Sequence, residues 1–171
     1  MLVVSAEWTL EQLNGLPAAA FVEALGGIFE HSPWVAGAVE PLRPFESAEE
    51  LHAAMVNAAR SAPEGKVLAL LRCHPDLGAK LAMSDLSVSE QKGAGLDSLS
   101  AEEYERFNSL NRDYMGRFDF PFILAVRGKS KDDILSSLAE RAGRERGEEL
   151  DQALREIARI TGFRLADLIS E

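Results

Sequence analysis

A few short stretches of this 171-residue chain hold side chains that could do chemistry. The first is LLRCHPDLG, residues 70–78, where a histidine meets a proline directly after an apolar run. Proline disfavours the α conformation for the residue before it, so a helix carrying VLALLRC should end at or before His74. An imidazole at that end faces the negative pole of the helix dipole, which favours its protonated form. That suits a proton donor working near neutral pH. A corner histidine that hydrogen-bonds loose carbonyls would have the same sequence. The second stretch is LSVSEQKGAGLD, residues 86–97, where Ser87, Glu90 and Gln91 form S-x-x-E-Q. A capping box accounts for Ser87 and Glu90 without any function, and Ser47/Glu50 and Ser100/Glu103 repeat the spacing. Hydroxyl, carboxylate and amide together could also hydrogen-bond a urea- or amide-rich heterocycle.

The third stretch is FPFILAV, residues 120–126. It reads as core, or as an extended buried segment whose backbone groups, not paired within a helix, face a planar ligand. Arg164, next to Leu165, is ordinarily a surface charge beside a core leucine. EHSPW, residues 30–34, reads as a helix stop with an aromatic plug.

Composition narrows the setting for these groups. The length and 46% apolar content fit one domain, residues 1–171, with one hydrophobic core. A net charge of −10 with no basic run disfavours nucleic acid. An anionic substrate would need a locally positive, shielded site. The lone Cys73 fits a reducing compartment, and its neighbour His74 points away from it on an extended chain. No run reaches the length of a membrane span, and the N-terminus lacks signal-peptide character, so a cytoplasmic location is expected. HExxH, CxxC and GxGxxG are absent, and a metal site is not expected.

Helices must position the candidates. Short TLEQLNGL comes first, followed by PAAAFVEALGGIFE, with Phe21, Leu25, Ile28 and Phe29 on one face. SAEELHAAMVNAARSA starts at a capping serine, and EGKVLALLRC reads as a central helix buried on most sides. Residues 101–118 align Phe107, Leu110, Tyr114 and Phe118. KDDILSSLAERAG follows, and ELDQALREIARITGFRLADLI aligns Leu150, Leu154, Ile157 and Ile160. The expected architecture is all-α: a compact single-domain bundle of about seven to nine helices with one short extended buried segment.

Order and spacing add a further argument. HPDL, SxxEQxxAGLD, LNxxY and FPFIxAV, with FVEALGGIFEHSPWVA and RPF before them, run over roughly residues 8–169. Together they resemble the 2-oxo-4-hydroxy-4-carboxy-5-ureidoimidazoline (OHCU) decarboxylase family of urate degradation. The resemblance implies an all-helical fold, often a homodimer, and loss of carboxylate without a cofactor to give (S)-allantoin and carbon dioxide. It implies His74 as catalytic acid/base with Pro75 beside it. Ser87, Glu90 and Gln91 match the substrate-binding cluster, and Phe122, Ile123, Leu124, Ala125 and Val126 match a segment whose backbone contacts the ring. Arg164 matches an arginine near the substrate. The chain departs from the pattern at Asp119, where glycine is usual, near Arg144, where asparagine is common, and in a short stretch between His74 and Ser87. Two rival readings are a lyase or hydrolase of a related ureide and a non-catalytic helical interaction module. A metal hydrolase using Glu30, His31, His74 and Asp76 lacks helical ligand spacing.

Overall fold

The computed structural model describes residues 7–74 and 100–170. Among them are eight α-helices, one 3₁₀ turn and a pair of two-residue strands, so the all-α expectation holds. Cα packing divides the chain into two compact units, Met1–Cys73 with Ala158–Glu171, and His74–Ile157.

In the first unit, α1 (Leu10–Gly15) opens on a full capping box between Thr9 and Gln12. Its C-terminal carbonyls are satisfied from a distance, since Arg43 Nη1 donates to Leu13 O at 3.0 Å and to Leu16 O at 2.6 Å. Asn14 and the Phe45 backbone exchange two hydrogen bonds of 2.9 Å. The RPF motif is therefore scaffolding that ties α1 to the loop after the 3₁₀ turn (Glu40–Leu42). α2 (Ala18–Leu25) is shorter than its periodicity suggests. It ends before Gly26, where a Cβ would lie 2.8 Å from Val22 O, and Ile28 and Phe29 reach the core from a turn instead. Ser32-Pro33 then starts a helix rather than only stopping one. α3 (Trp34–Val39) buries Val35, Ala36 and Val39, while Trp34 stays half-buried with Lys66 Nζ 5.1 Å from its ring centroid.

α4 (Ala48–Ser61) is capped by Ser47, which accepts from Glu50 N–H at 3.0 Å. The Glu50 carboxylate goes to Glu46 N–H at 2.8 Å, so only half of the expected box forms. α5 (Glu64–Cys73) corrects the expectation of a helix buried on most sides. It buries Val67, Leu70 and Leu71, and the i, i+3, i+4, i+7 series is completed by buried His74. Lys66 and Ala69 on the other side are exposed. Trp8–Thr9 and Ile169–Ser170 pair as short parallel strands β1 and β2, with Trp8 opposite Ile169.

In the second unit, α6 (Ala101–Phe118) carries the expected Ser100/Glu103 capping box and buries Phe107, Tyr114 and Phe118, with Leu110 only half-buried. It ends at Asp119, whose φ of 62° and ψ of 28° place it in the left-handed region. Glycine takes that conformation without a Cβ penalty, whereas Asp119 carries one. α7 (Lys131–Arg141) opens on a Ser130/Asp133 capping box. Between α6 and α7, Phe120, Phe122, Ile123, Leu124, Ala125 and Val126 are all buried, without helix or strand pairing. This is the extended buried segment that the sequence suggested.

α8 (Arg146–Leu168) is the longest helix, at 23 residues. Its buried stripe is the expected one only in part: Ile157 and Ile160 are buried, but Leu150 and Leu154 are half-buried. The buried positions are Glu149, Ala153, Glu156, Ile157, Ile160, Thr161, Arg164 and Leu165. The core-facing seam of α8 thus carries charge along most of its length. No helix among the described residues is long and apolar enough to cross a membrane.

Candidate active site

His74 sits one residue past α5, at the end of that helix's buried face, with a relative exposure of 6%. Its place follows from local rules: the apolar series fixes the face, and Pro75 ends the helix. Pro75, Ser87, Glu90 and Gln91 lie outside the described residues. The segment Phe122, Ile123, Leu124, Ala125 and Val126 belongs, like His74, to the unit His74–Ile157. Arg164 belongs to the other unit.

The segment is held by charged side chains that sequence reasoning missed. Arg141 Nη1 donates to Ile123 O at 2.8 Å, and Ala125 N–H donates to Glu156 Oε1 at 3.2 Å. Arg141 Nε donates to Glu149 Oε1 at 2.8 Å, and the same oxygen accepts from Tyr114 Oη at 2.7 Å. Glu149 has 0% exposure, and Arg144 Nη1 lies 3.6 Å from its Oε2. Gln152 Nε2 donates to Glu156 Oε2 at 2.9 Å. Arg141 also lies 4.5 Å from the Phe122 ring centroid. Tyr114 packs its ring against Phe118, Phe120 and Phe122, with centroids 4.6, 6.1 and 5.3 Å away. Burial, then the hydrogen bond to Glu149, pushes the Tyr114 hydroxyl well above the usual phenol range. It is therefore a fixed donor at any physiological pH.

Arg164 is not a surface charge. Its side chain is 2% exposed, Nη1 lies 3.0 Å from Glu30 Oε2, and the same nitrogen donates to Ile28 O at 3.2 Å. Glu30, from the EHSPW stretch, entered the sequence reading only as a candidate of the metal-hydrolase alternative, not as the partner of Arg164. One signal could have found these residues: Glu149, Glu156 and Arg164 recur in step with Ala153, Ile157 and Ile160, at spacings that put them on the apolar face of α8. A buried charge must find a partner, so charge in a core stripe marks a network.

The described geometry comprises a buried histidine at a helix end and a buried, non-helical segment clamped by charged side chains. Comparison with known proteins identifies the class. Residues 14–166 match the model of OHCU decarboxylase, and the chain belongs to that family. More particular likenesses follow. The chain is 45% identical to the 2-oxo-4-hydroxy-4-carboxy-5-ureidoimidazoline decarboxylase of Haloferax volcanii, over 96% of this chain and 98% of that protein. It is 48% identical to the uric acid degradation bifunctional protein PucL of Bacillus subtilis, over 96% of this chain but 33% of the relative's length. The crystal structure of an (S)-allantoin synthase superposes with a TM-score of 0.79 at 36% identity, covering 94% of this chain and 54% of that one.

Proposed function

We propose that this protein decarboxylates 2-oxo-4-hydroxy-4-carboxy-5-ureidoimidazoline to (S)-allantoin and carbon dioxide, without a cofactor, in urate degradation. The observation that carries the reading is the family match over residues 14–166, a range that includes His74 and FPFILAV. Loss of carbon dioxide leaves an electron pair on the former C4 carbon. The adjacent carbonyl and nitrogen system takes up that charge, so the protein's task is to orient the carboxylate, stabilise charge and deliver a proton to one face. His74 engages the 4-hydroxyl or carboxylate and protonates the carbanion, with Pro75 beside it. Ser87, Glu90 and Gln91 hold the ureido and ring nitrogens. Phe122, Ile123, Leu124, Ala125 and Val126 present backbone to the ring. The backbone pattern supports this role for the segment: the Ile123 carbonyl and the Ala125 N–H are occupied, while Leu124 N–H forms no hydrogen bond among the described residues. Leu124 is buried, and a buried N–H needs a partner. A homodimer in the cytoplasm is the corresponding assembly and location.

The test is the optical activity of the product. The intermediate is generated from urate with the two upstream enzymes, because it decays on its own to racemic allantoin. Fast growth of the (S)-allantoin circular dichroism signal on adding this protein is expected. Slow, optically silent decay would reject the activity and favour a helical interaction module.

A further inference from the structure

We propose that Arg141, Glu149, Tyr114 and Glu156 are positioning residues that hold the backbone of Ile123–Ala125 in the register the substrate ring requires. This rests on the proposed function, since it assumes that the segment faces that ring. Two of its backbone groups are pinned, Ile123 C=O by Arg141 and Ala125 N–H by Glu156. Residues two apart on an extended chain direct their polar groups to one edge, and the residue between them directs its groups to the other. Both pins therefore hold one edge and leave that of Leu124 for the ligand.

The pins are built to resist movement. Glu149 and Glu156 are seven residues apart on α8, so they lie on one face two turns from each other. Glu149 clamps Arg141 through Nε, and Tyr114 donates to the same carboxylate oxygen. That leaves Arg141 Nη1 aimed at Ile123 O. The Phe122 ring under the guanidinium blocks rotation on that side. Charge-assisted hydrogen bonds in a buried network are stronger and stiffer than neutral ones. A main-chain segment without ladder partners gains from them the rigidity that a strand gets from its neighbours.

The experiment compares steady-state rates of R141K, Y114F, E156L and E156Q with the wild-type protein, splitting kcat from KM. Lysine keeps the charge of Arg141 but cannot bridge Glu149 and Ile123 O with a rigid fork. A displacement on the order of 1 Å costs about 10²-fold in rate. R141K and E156L are expected to lose about ten- to a hundredfold in kcat/KM, chiefly through a raised KM, with the shape of the pH profile unchanged. Y114F should lose several-fold, and E156Q should recover most of what E156L loses, since an amide oxygen still accepts from Ala125 N–H. A network that is only structural would lower the melting temperature and leave KM alone. If R141K and E156L fail to fold, Y114F decides alone: it keeps the ring, and an unchanged KM in it overturns the proposal. An inactive wild-type protein would remove the function and this inference together, whereas an active one with indifferent folded variants removes only the inference.

Discussion

Glu30→Ala is the perturbation whose consequence the structure defines most closely. Glu30 and Arg164 have side-chain exposures of 1% and 2% and meet at 3.0 Å. At an effective dielectric constant of about 20, two unit charges at that distance attract by about 5 kcal/mol. Removing one partner of such a buried pair costs about 3–5 kcal/mol. The Ile28 carbonyl still accepts from Arg164 Nη1, which places the loss toward the lower end. In a chain of this size each kcal/mol lowers the melting temperature by about 2–4 °C. E30A should therefore melt about 6–20 °C below the wild-type protein. The assay is reversible urea unfolding followed by helical circular dichroism, with E30A, R164M and the double variant as a thermodynamic cycle. Because replacing both ions with apolar groups is often neutral, R164M introduced into E30A should restore most of the loss. A loss below about 1 kcal/mol in E30A, or a double variant as unstable as the sum of the singles, would refute the buried-pair reasoning.

Other expected outcomes concern single residues. His74→Ala should lower turnover by at least about 10²-fold, the value of a positioned proton donor, with an unchanged helical spectrum; near-wild-type turnover would remove His74 from its role. Glu103, whose carboxyl is pulled down to about 2 chiefly by the Ser100 backbone N–H and then by Lys131, adds stability that is complete above the unfolded value of 4.5 and fades as pH falls toward 2. The stability gap between wild-type protein and E103Q should accordingly narrow between neutral pH and pH 3, and a constant gap would contradict the assignment. Asp119→Gly should stabilise by about 0.5–1 kcal/mol, because the left-handed corner then carries no Cβ, while Asp119→Ala should destabilise, as denaturation midpoints would show.

Much of the fold was legible because its signals are local. Ser47 and Ser100 cap helices because a side-chain oxygen reaches a backbone N–H three residues on, and that geometry needs no distant partner. Helix α5 stops at Cys73 because Pro75 restricts the residue before it. The run at 120–126 announced a buried segment by composition alone. Pattern failed where the two faces of a helix looked alike. Leu150 and Leu154 seemed the natural core stripe of α8, yet the buried seam runs through Glu149, Glu156 and Arg164.

The amino-acid sequence by itself determined the helical class, most helix boundaries and the family motifs, since caps, proline and apolar periodicity act within a turn or two. Only the tertiary structure decided which charges are buried and what they hold. Arg164 bonds a carbonyl 136 residues earlier in the chain, and Glu156 reaches an amide 31 residues before it. A charged residue on an apolar stripe is tolerable only when such a partner arrives, and nothing local says which partner that will be.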